Sequence, residues 1–267
     1  MPETGIGSVQ LLTLDAELAR ELDPRRAREA AQRLYAQALE VPRGRWVPGR
    51  ELREGARPIA ILVLSGLLVR EATVGDHPAT ELLGPGDVLR TWEDGEQEEL
   101  LPRDTTWSAL SPTRLAVIDH AFAVRAAQWP EVFAVLLDRA ARRAERLVVL
   151  QAIAHLTRVD DRLLALLWCL AERWGRVVPG GVLISLQLSH RTLAGMVGAR
   201  RPSVTTALGQ LIARGEIERR ADGEWLLRGV APEPRAAAVG AGPVRFRRRA
   251  QDLTSPPAAS AGTGSQA

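Results

Sequence analysis

Between Arg173 and Gly215 the chain carries no aspartate or glutamate, yet Arg173, Arg176, Arg191, Arg200, Arg201 and Arg214 all fall inside that window. No lysine occurs anywhere, so every basic side chain is a guanidinium. That group stays ionised and is shaped to engage phosphate oxygens or the O6/N7 edge of guanine in pairs. A one-signed stretch with this geometry points to nucleic-acid contact. Genomic base composition, or a solvated basic face, gives the same bias, and the net charge of +3 decides nothing between them.

Other chemistry is poorly supplied. Cys169, the single cysteine, lies in the apolar run Leu163–Ala171 and reads as a small core residue. Alone it forms no intrachain disulfide, multi-cysteine metal site or iron–sulfur centre. His77, His120, His155 and His190 are scattered, with no nucleophile motif and no glycine-rich phosphate loop. Neither an enzyme nor a metal site is expected, although an aspartate-based catalytic site is left open. His77 and His120 read as surface residues rather than haem ligands. No apolar run reaches membrane-span length, and Met1–Gln10 lacks a signal pattern, so no membrane contact and a cytoplasmic location are expected.

The elements that must position the arginines are legible in outline. A helix from Asp160 carries Leu163, Leu164, Leu167, Trp168 and Leu170, and Val182–Leu186 reads as a short strand. Ser189 offers an N-cap hydroxyl to a helix over Arg191–Val197. Gly198 suits a positive φ at the following turn. A second helix from about Pro202 is expected to bury Val204, Leu208, Leu211 and Ile212 and to present Ser203, Thr206 and Gln210. Glu216–Arg219, the turn Ala221-Asp222-Gly223 and Glu224–Leu227 complete a hairpin. Helix, turn, helix and hairpin in this order describe a winged helix-turn-helix.

Its second helix would enter the major groove of double-stranded DNA with its amino-terminal turn foremost, where Arg200 and Arg201 reach phosphate or guanine. Ser203, Thr206 and Gln210 face base edges. Ser189, Arg191, Arg219 and Arg220 hold the backbone and position without specifying. The competing reading is a ligand- or protein-binding module whose basic domain contacts a protein partner.

Upstream, residues 1–40 read as helical, with Leu11, Leu14 and Leu18 on one face and Ala27, Ala31, Leu34 and Ala38 repeating after them. From 41 to 120 the runs Ile59–Leu64, Leu67–Val69 and Leu115–Ile118, cut by Gly66, Gly84-Pro85-Gly86 and Ser111-Pro112, suggest a β-roll or barrel. A long helix from Pro130 to about Thr157 shows a seam at Phe133, Leu137, Ala140, Ala144, Leu147, Gln151 and Ala154. That seam either pairs with a second copy in a homodimer or packs on the chain's own β-domain. Ala231–Ala267, rich in Ala, Pro, Gly and Ser, is expected to be a disordered tail, and its Arg245, Arg247, Arg248 and Arg249 would add sequence-independent DNA affinity or be merely solvated.

Leu193-Ala194, Val197-Gly198, Arg201, Val204, Thr206, Leu208 and Leu211 resemble the helix-turn-helix of the cyclic-AMP receptor protein and fumarate-nitrate regulator (Crp/Fnr) family. Leu62-Val63-Leu64-Ser65-Gly66 and Leu83-Gly84-Pro85-Gly86-Asp87 are similar to the glycine turns of that family's sensory roll, and Asp160-Asp161-Arg162 stands where the family has its hinge. The resemblance covers about residues 40–228. It implies an α+β chain: amino-terminal helices (1–40), a cupin-like, cyclic-nucleotide-binding-like β-roll (41–128), a dimerisation helix (129–158), a carboxy-terminal winged helix-turn-helix (159–229) and the tail (230–267).

It further implies a transcription regulator that binds a palindromic operator as a homodimer and recruits or blocks RNA polymerase. Where nucleotide-binding members hold ribose and cyclic phosphate, this chain has Gly86-Asp87, Leu89-Arg90-Thr91-Trp92-Glu93 and Pro102-Arg103-Asp104-Thr105-Thr106. Asp87, Arg103, Thr105 and Thr106 are therefore the effector-binding candidates. Cyclic AMP is not the expected ligand, because Asp104 adjoins the one plausible phosphate arginine, and no cofactor is identified. Pro202 replaces an acid that reads a base in familiar members, so a different operator is expected.

Overall fold

Glycine and proline divide the amino-terminal half into short strands, and the computed structural model describes these within residues 6–48, 58–91, 101 and 103–232, the side chain of His77 excepted. The tail arginines 245 and 247–249 lie outside the described residues, as do Trp92, Glu93 and Pro102. The chain opens with β1 (Ile6–Gln10), α1 (Leu11–Leu14), a 3-10 turn (Ala16–Ala19) and α2 (Pro24–Arg33). Next come β2 (Tyr35–Val41), β3 (Gly44–Trp46), β4 (Pro58–Ser65), β5 (Leu68–Val74) and β6 (His77–Leu83). The roll is completed by β7 (Val88–Leu89), β8 (Asp104–Ala109) and β9 (Thr113–Asp119).

Two sheets form the roll, one ordered β1-β2-β9-β4-β7 and the other β3-β8-β5-β6. Leu39, Ile61, Val63, Leu68, Leu83, Leu115 and Val117 fill its interior, with Trp46 and Trp107 edge to face at 5.9 Å. Such a pair suits a packed interior, since the edge of one ring meets the electron-rich face of the other.

The helical reading of residues 1–40 is corrected at both ends. β1 and β2 pair with each other, and β2 also pairs with β9, so the segment belongs to the roll. Leu34 caps α2 and Ala38 lies in β2. Alanine's helical preference concealed a period of two: Ala36 and Ala38 are buried while Tyr35 is exposed, and sheet pairing overrides so weak a local preference. α2 is defined by Pro24 in its first turn and by Asp23, which accepts hydrogen bonds from the Arg25 and Arg26 amides.

α3 (His120–Ala126) leads to α4 (Pro130–Ala154), the long helix, which starts at Pro130 as expected. Three of its arginines point back onto the roll. Arg139 meets Asp15 and Glu17, Arg143 forks onto Glu81 at 2.7 and 2.8 Å, and Arg146 meets Asp87. This fixes the rotation of α4 and makes the predicted seam uneven in its exposure. Ala134, Leu137, Ala141, Ala144, Val148 and Gln151 form one exposed stripe, whereas Phe133, Ala140, Leu147 and Ala154 are partly covered.

Beyond a short joint follow α5 (Val159–Trp174), β10 (Gly175–Val178), β11 (Gly181–Ile184), α6 (His190–Val197), α7 (Arg201–Ala213), β12 (Ile217–Arg219) and β13 (Trp225–Leu227). Their sheet runs β10-β11-β13-β12. Leu163, Leu167, Leu193, Val197, Val204, Leu208, Leu211 and Trp225 form the core beneath it. Cys169 is half-buried against this core, and burial raises its thiol pKa. Ile212, expected inside, is 45% exposed.

Candidate nucleic-acid interface

Ser189 caps α6, its Oγ accepting the Thr192 amide at 3.1 Å. Gly198 ends the helix at φ +61°, a left-handed position where a side chain is strained, and the Ala199 amide returns to Ala194 O at 2.9 Å. This tight turn swings α7 across α6 so that the first turn of α7 points outward. Arg200 stands at its N-cap without a side-chain cap, Arg201 is its first residue and Pro202 its second. The amides there have no side-chain acceptor, which leaves the positive end of the helix dipole for an anion. Arg200 and Arg201 pair with no carboxylate among the described residues.

Ser203, Thr206 and Gln210 lie exposed along α7, as their spacing predicted. Thr206 Oγ1 donates to Pro202 O at 3.2 Å, which holds the hydroxyl against the helix with its lone pairs outward. The sequence reading overlooked two neighbours on this face. Thr205 Oγ1 lies 2.9 Å from His190 Nδ1 and so ties the start of α6 to α7. Gly209 is exposed, and a Cβ there would meet only open space, so the helix is low where it would approach a groove. A count of every outward position at helical spacing, rather than of polar ones alone, would have found Thr205 and Gly209.

The wing forms as predicted. Gly223 N donates to Arg220 O at 2.9 Å across the turn, and Arg219 lies over the Trp225 ring at 5.1 Å, with Arg220 exposed beside it. Half of the acid-free window's arginines are nevertheless engaged. Arg173 meets Asp87, Arg191 meets Glu71, and Arg214 meets Asp160 and Glu216. Their acids come from outside the window, which is why the window alone overstated the free positive field.

Asp160 is the clasp between the start of α5 and the end of α7. It is buried, takes both Arg158 nitrogens at 3.0 and 2.9 Å, and takes Arg214 at 3.0 Å. The Arg158 hydrogen bond, helped by Arg214 and opposed by burial, pulls its pKa from 3.8 to about 2. A depressed carboxylate stabilises the fold above its unfolded pKa and loses that contribution as pH falls through the folded one. Asp160→Asn is therefore expected to cost about 1–2 kcal/mol at pH 7, after allowance for water around the two exposed guanidiniums. Urea unfolding should show this gap closing between pH 4 and pH 2.

A family model described as a Crp-like helix-turn-helix domain matches residues 161–228, the span of α5 through the wing. A CRP-like cAMP-activated global transcriptional regulator of Mycobacterium tuberculosis is 31% identical over 201 residues, which cover 74% of this chain and 86% of that protein. The chain belongs to the Crp/Fnr family of transcription regulators. It is a DNA-binding regulator and not an enzyme, and the reading of its basic domain as a protein-contact module is not favoured.

Solved structures agree on the fold. A CooA variant from Carboxydothermus hydrogenoformans gives a TM-score of 0.56 at 20% identity, covering 72% of this chain and 83% of that one. A cyclic nucleotide-binding domain containing protein from Listeria monocytogenes also gives 0.56, at 15% identity, covering 80% and 96%.

Within this Crp/Fnr frame the four effector candidates are dispersed. Asp87 is 1% exposed and receives Arg146, Arg173 (2.7 Å) and the Gly84 amide (2.8 Å). Thr105 and Thr106 are adjacent in β8 and so face opposite sides of their sheet, while Arg103 is exposed just before that strand. Thr105 pairs with Ala72 on the inner side, and Thr106 pairs with Glu71 on the outer. α4 closes the inner side through Arg143 on Glu81, which also holds Arg70.

Proposed function

We propose that this Crp/Fnr regulator reads a palindromic operator as a homodimer in the cytoplasm, with α7 in the major groove. The observation that carries the reading is the outward first turn of α7, with Arg200 and Arg201 unpaired beside uncapped amides. Arg200 and Arg201 take phosphate or guanine, and Ser203, Thr206 and Gln210 approach base edges. Ser189, Arg191, Arg219 and Arg220 hold the backbone on either side.

The outward stripe of α4, continuous over its length and rich in alanine, suits close pairing with the same helix of a second copy. Two-fold pairing of that kind would set two α7 helices about one turn of DNA apart. Domain limits at 41–128, 129–158 and 159–229 serve this division of labour, with the amino-terminal segment joined to the roll. Contact with RNA polymerase belongs to the same proposal.

The effector is not cyclic AMP in this reading, although the M. tuberculosis relative is described as cAMP-activated. The described residues do not fit that nucleotide. The acid after the turn glycine is consumed by two arginines, Thr105 and Thr106 diverge, and tryptophans occupy the interior. Pro202 offers no side-chain acceptor, so the operator differs from that of members carrying an acid there.

Selection of bound sequences from random DNA by the purified protein is expected to return a two-fold palindrome. Affinity for it should fall steeply and linearly with salt on logarithmic axes, since each phosphate contact releases counterions. Random recovered sequences with a shallow salt slope would refute the reading.

A further inference from the structure

Sheet alternation sends Leu68 and Leu83 into the roll and their neighbours Val69 and Leu82 out of it. Those outward residues are nevertheless buried, at 7% and 6% exposure, because they belong to the apolar core of the DNA-binding domain. Two residues along, the cross-strand pair Glu71 and Thr80 emerges from the same face. Against it lie Arg191 and Gly195, one helical turn apart on α6. Arg191 pairs with Glu71 at 3.3 Å. Gly195 is seated so closely that an added Cβ would collide with Thr80 Oγ1 and come within 2.9 Å of Thr80 Cβ. The first helix of the DNA reader therefore docks side by side on the β5–β6 hairpin of the roll, and residues 1–232 form one compact unit.

Arg191 is the second residue of α6, at the end that faces the DNA backbone in the reading above, and Glu71 presents a carboxylate where a phosphate would sit. Thr80 Oγ1 is buried without a hydrogen-bond partner, which penalises the docked arrangement. Residues His155–Arg158, between α4 and α5, are exposed and provide a joint about which α5–α7 and the wing can turn as a body.

We propose that the outer face of the β5–β6 hairpin is an intramolecular competitor of DNA, holding the helix-turn-helix through Arg191 and Gly195 until operator phosphates displace it. The proposal rests on the DNA-reading function, and two variants of the full chain test it on the selected operator.

Glu71→Gln removes the competing carboxylate without touching the reader. It should tighten binding about two- to fivefold, the range of one exposed ion pair. Asp76→Asn, at the hairpin tip, controls for general charge and should change affinity by less than about twofold. Thr80→Cys with Gly195→Cys, in a Cys169→Ala background, cross-links the docked pair after a shift of about 1 Å. The oxidised protein should lose at least about tenfold in operator affinity and regain it on reduction, with circular dichroism unchanged.

Full binding by the cross-linked protein, or an unchanged affinity for Glu71→Gln, overturns the proposal. Failure of the reduced, unaltered protein to bind any DNA would instead overturn the reading on which it rests.

Discussion

Arg201→Ala is expected to lower affinity for the selected operator about ten- to a hundredfold, while binding to unrelated DNA falls only about two- to threefold. A guanidinium forked onto a guanine edge contributes roughly 1–3 kcal/mol of discrimination, whereas a phosphate contact contributes equally on every sequence. Arg201 is the residue best placed for the former role. It opens α7, is exposed, and is followed by Pro202, so no adjacent acidic side chain competes for it. Arg219→Ala on the wing provides the contrast and should weaken both DNAs alike. Gel shifts of each variant on both DNAs decide the matter, and equal losses for Arg201→Ala would remove it from the reading set.

The double substitution Leu137→Glu and Val148→Glu should convert the protein to a monomer and reduce operator affinity by at least about a hundredfold. Both side chains lie on the outward stripe of α4, at 72% and 65% exposure. Carboxylates placed there would face their own copies across a two-fold axis and repel. A monomer must then bind each half-site independently and loses the effective concentration that the first contact gives the second. Sedimentation would report the change in mass, and a thermal melt would show the fold retained. A variant that still sediments as a dimer would place the interface elsewhere. Phe133→Ala separates the outward stripe from the seam predicted by periodicity alone. Phe133 packs edge to face on Phe122 at 6.1 Å, so its loss should lower stability and leave the mass unchanged.

The two seams show how far periodicity reaches. Steps of three and four correctly marked α4 as a helix with an apolar side, and of the seam positions Leu137, Ala144 and Gln151 are exposed. They did not fix which alternate positions turn outward, because α4 carries apolar residues on more than one face. That choice was made by Arg139, Arg143 and Arg146, which draw their side of the helix onto Asp15, Glu81 and Asp87. Ile212 failed for a related reason: it lies next to a buried leucine on a helix whose inner face is only one stripe wide.

What the sequence determined by itself is the DNA reader: the cap at Ser189, the left-handed turn at Gly198, the outward Arg200 and Arg201, and the wing turn at Asp222-Gly223. Each depends on interactions within a turn or two of the chain, so residue type and spacing suffice to specify it. What only the tertiary structure decided is where the roll spends its acids. Asp87 stands after its glycine as an effector residue would, yet it binds Arg146 and Arg173; Glu71 has no local motif, yet it meets Arg191. Those pairings join residues far apart in sequence and are set by the packing of α4, α5 and α6 on the sheets. The packing of those elements, which no local spacing encodes, selects the partner of each charge.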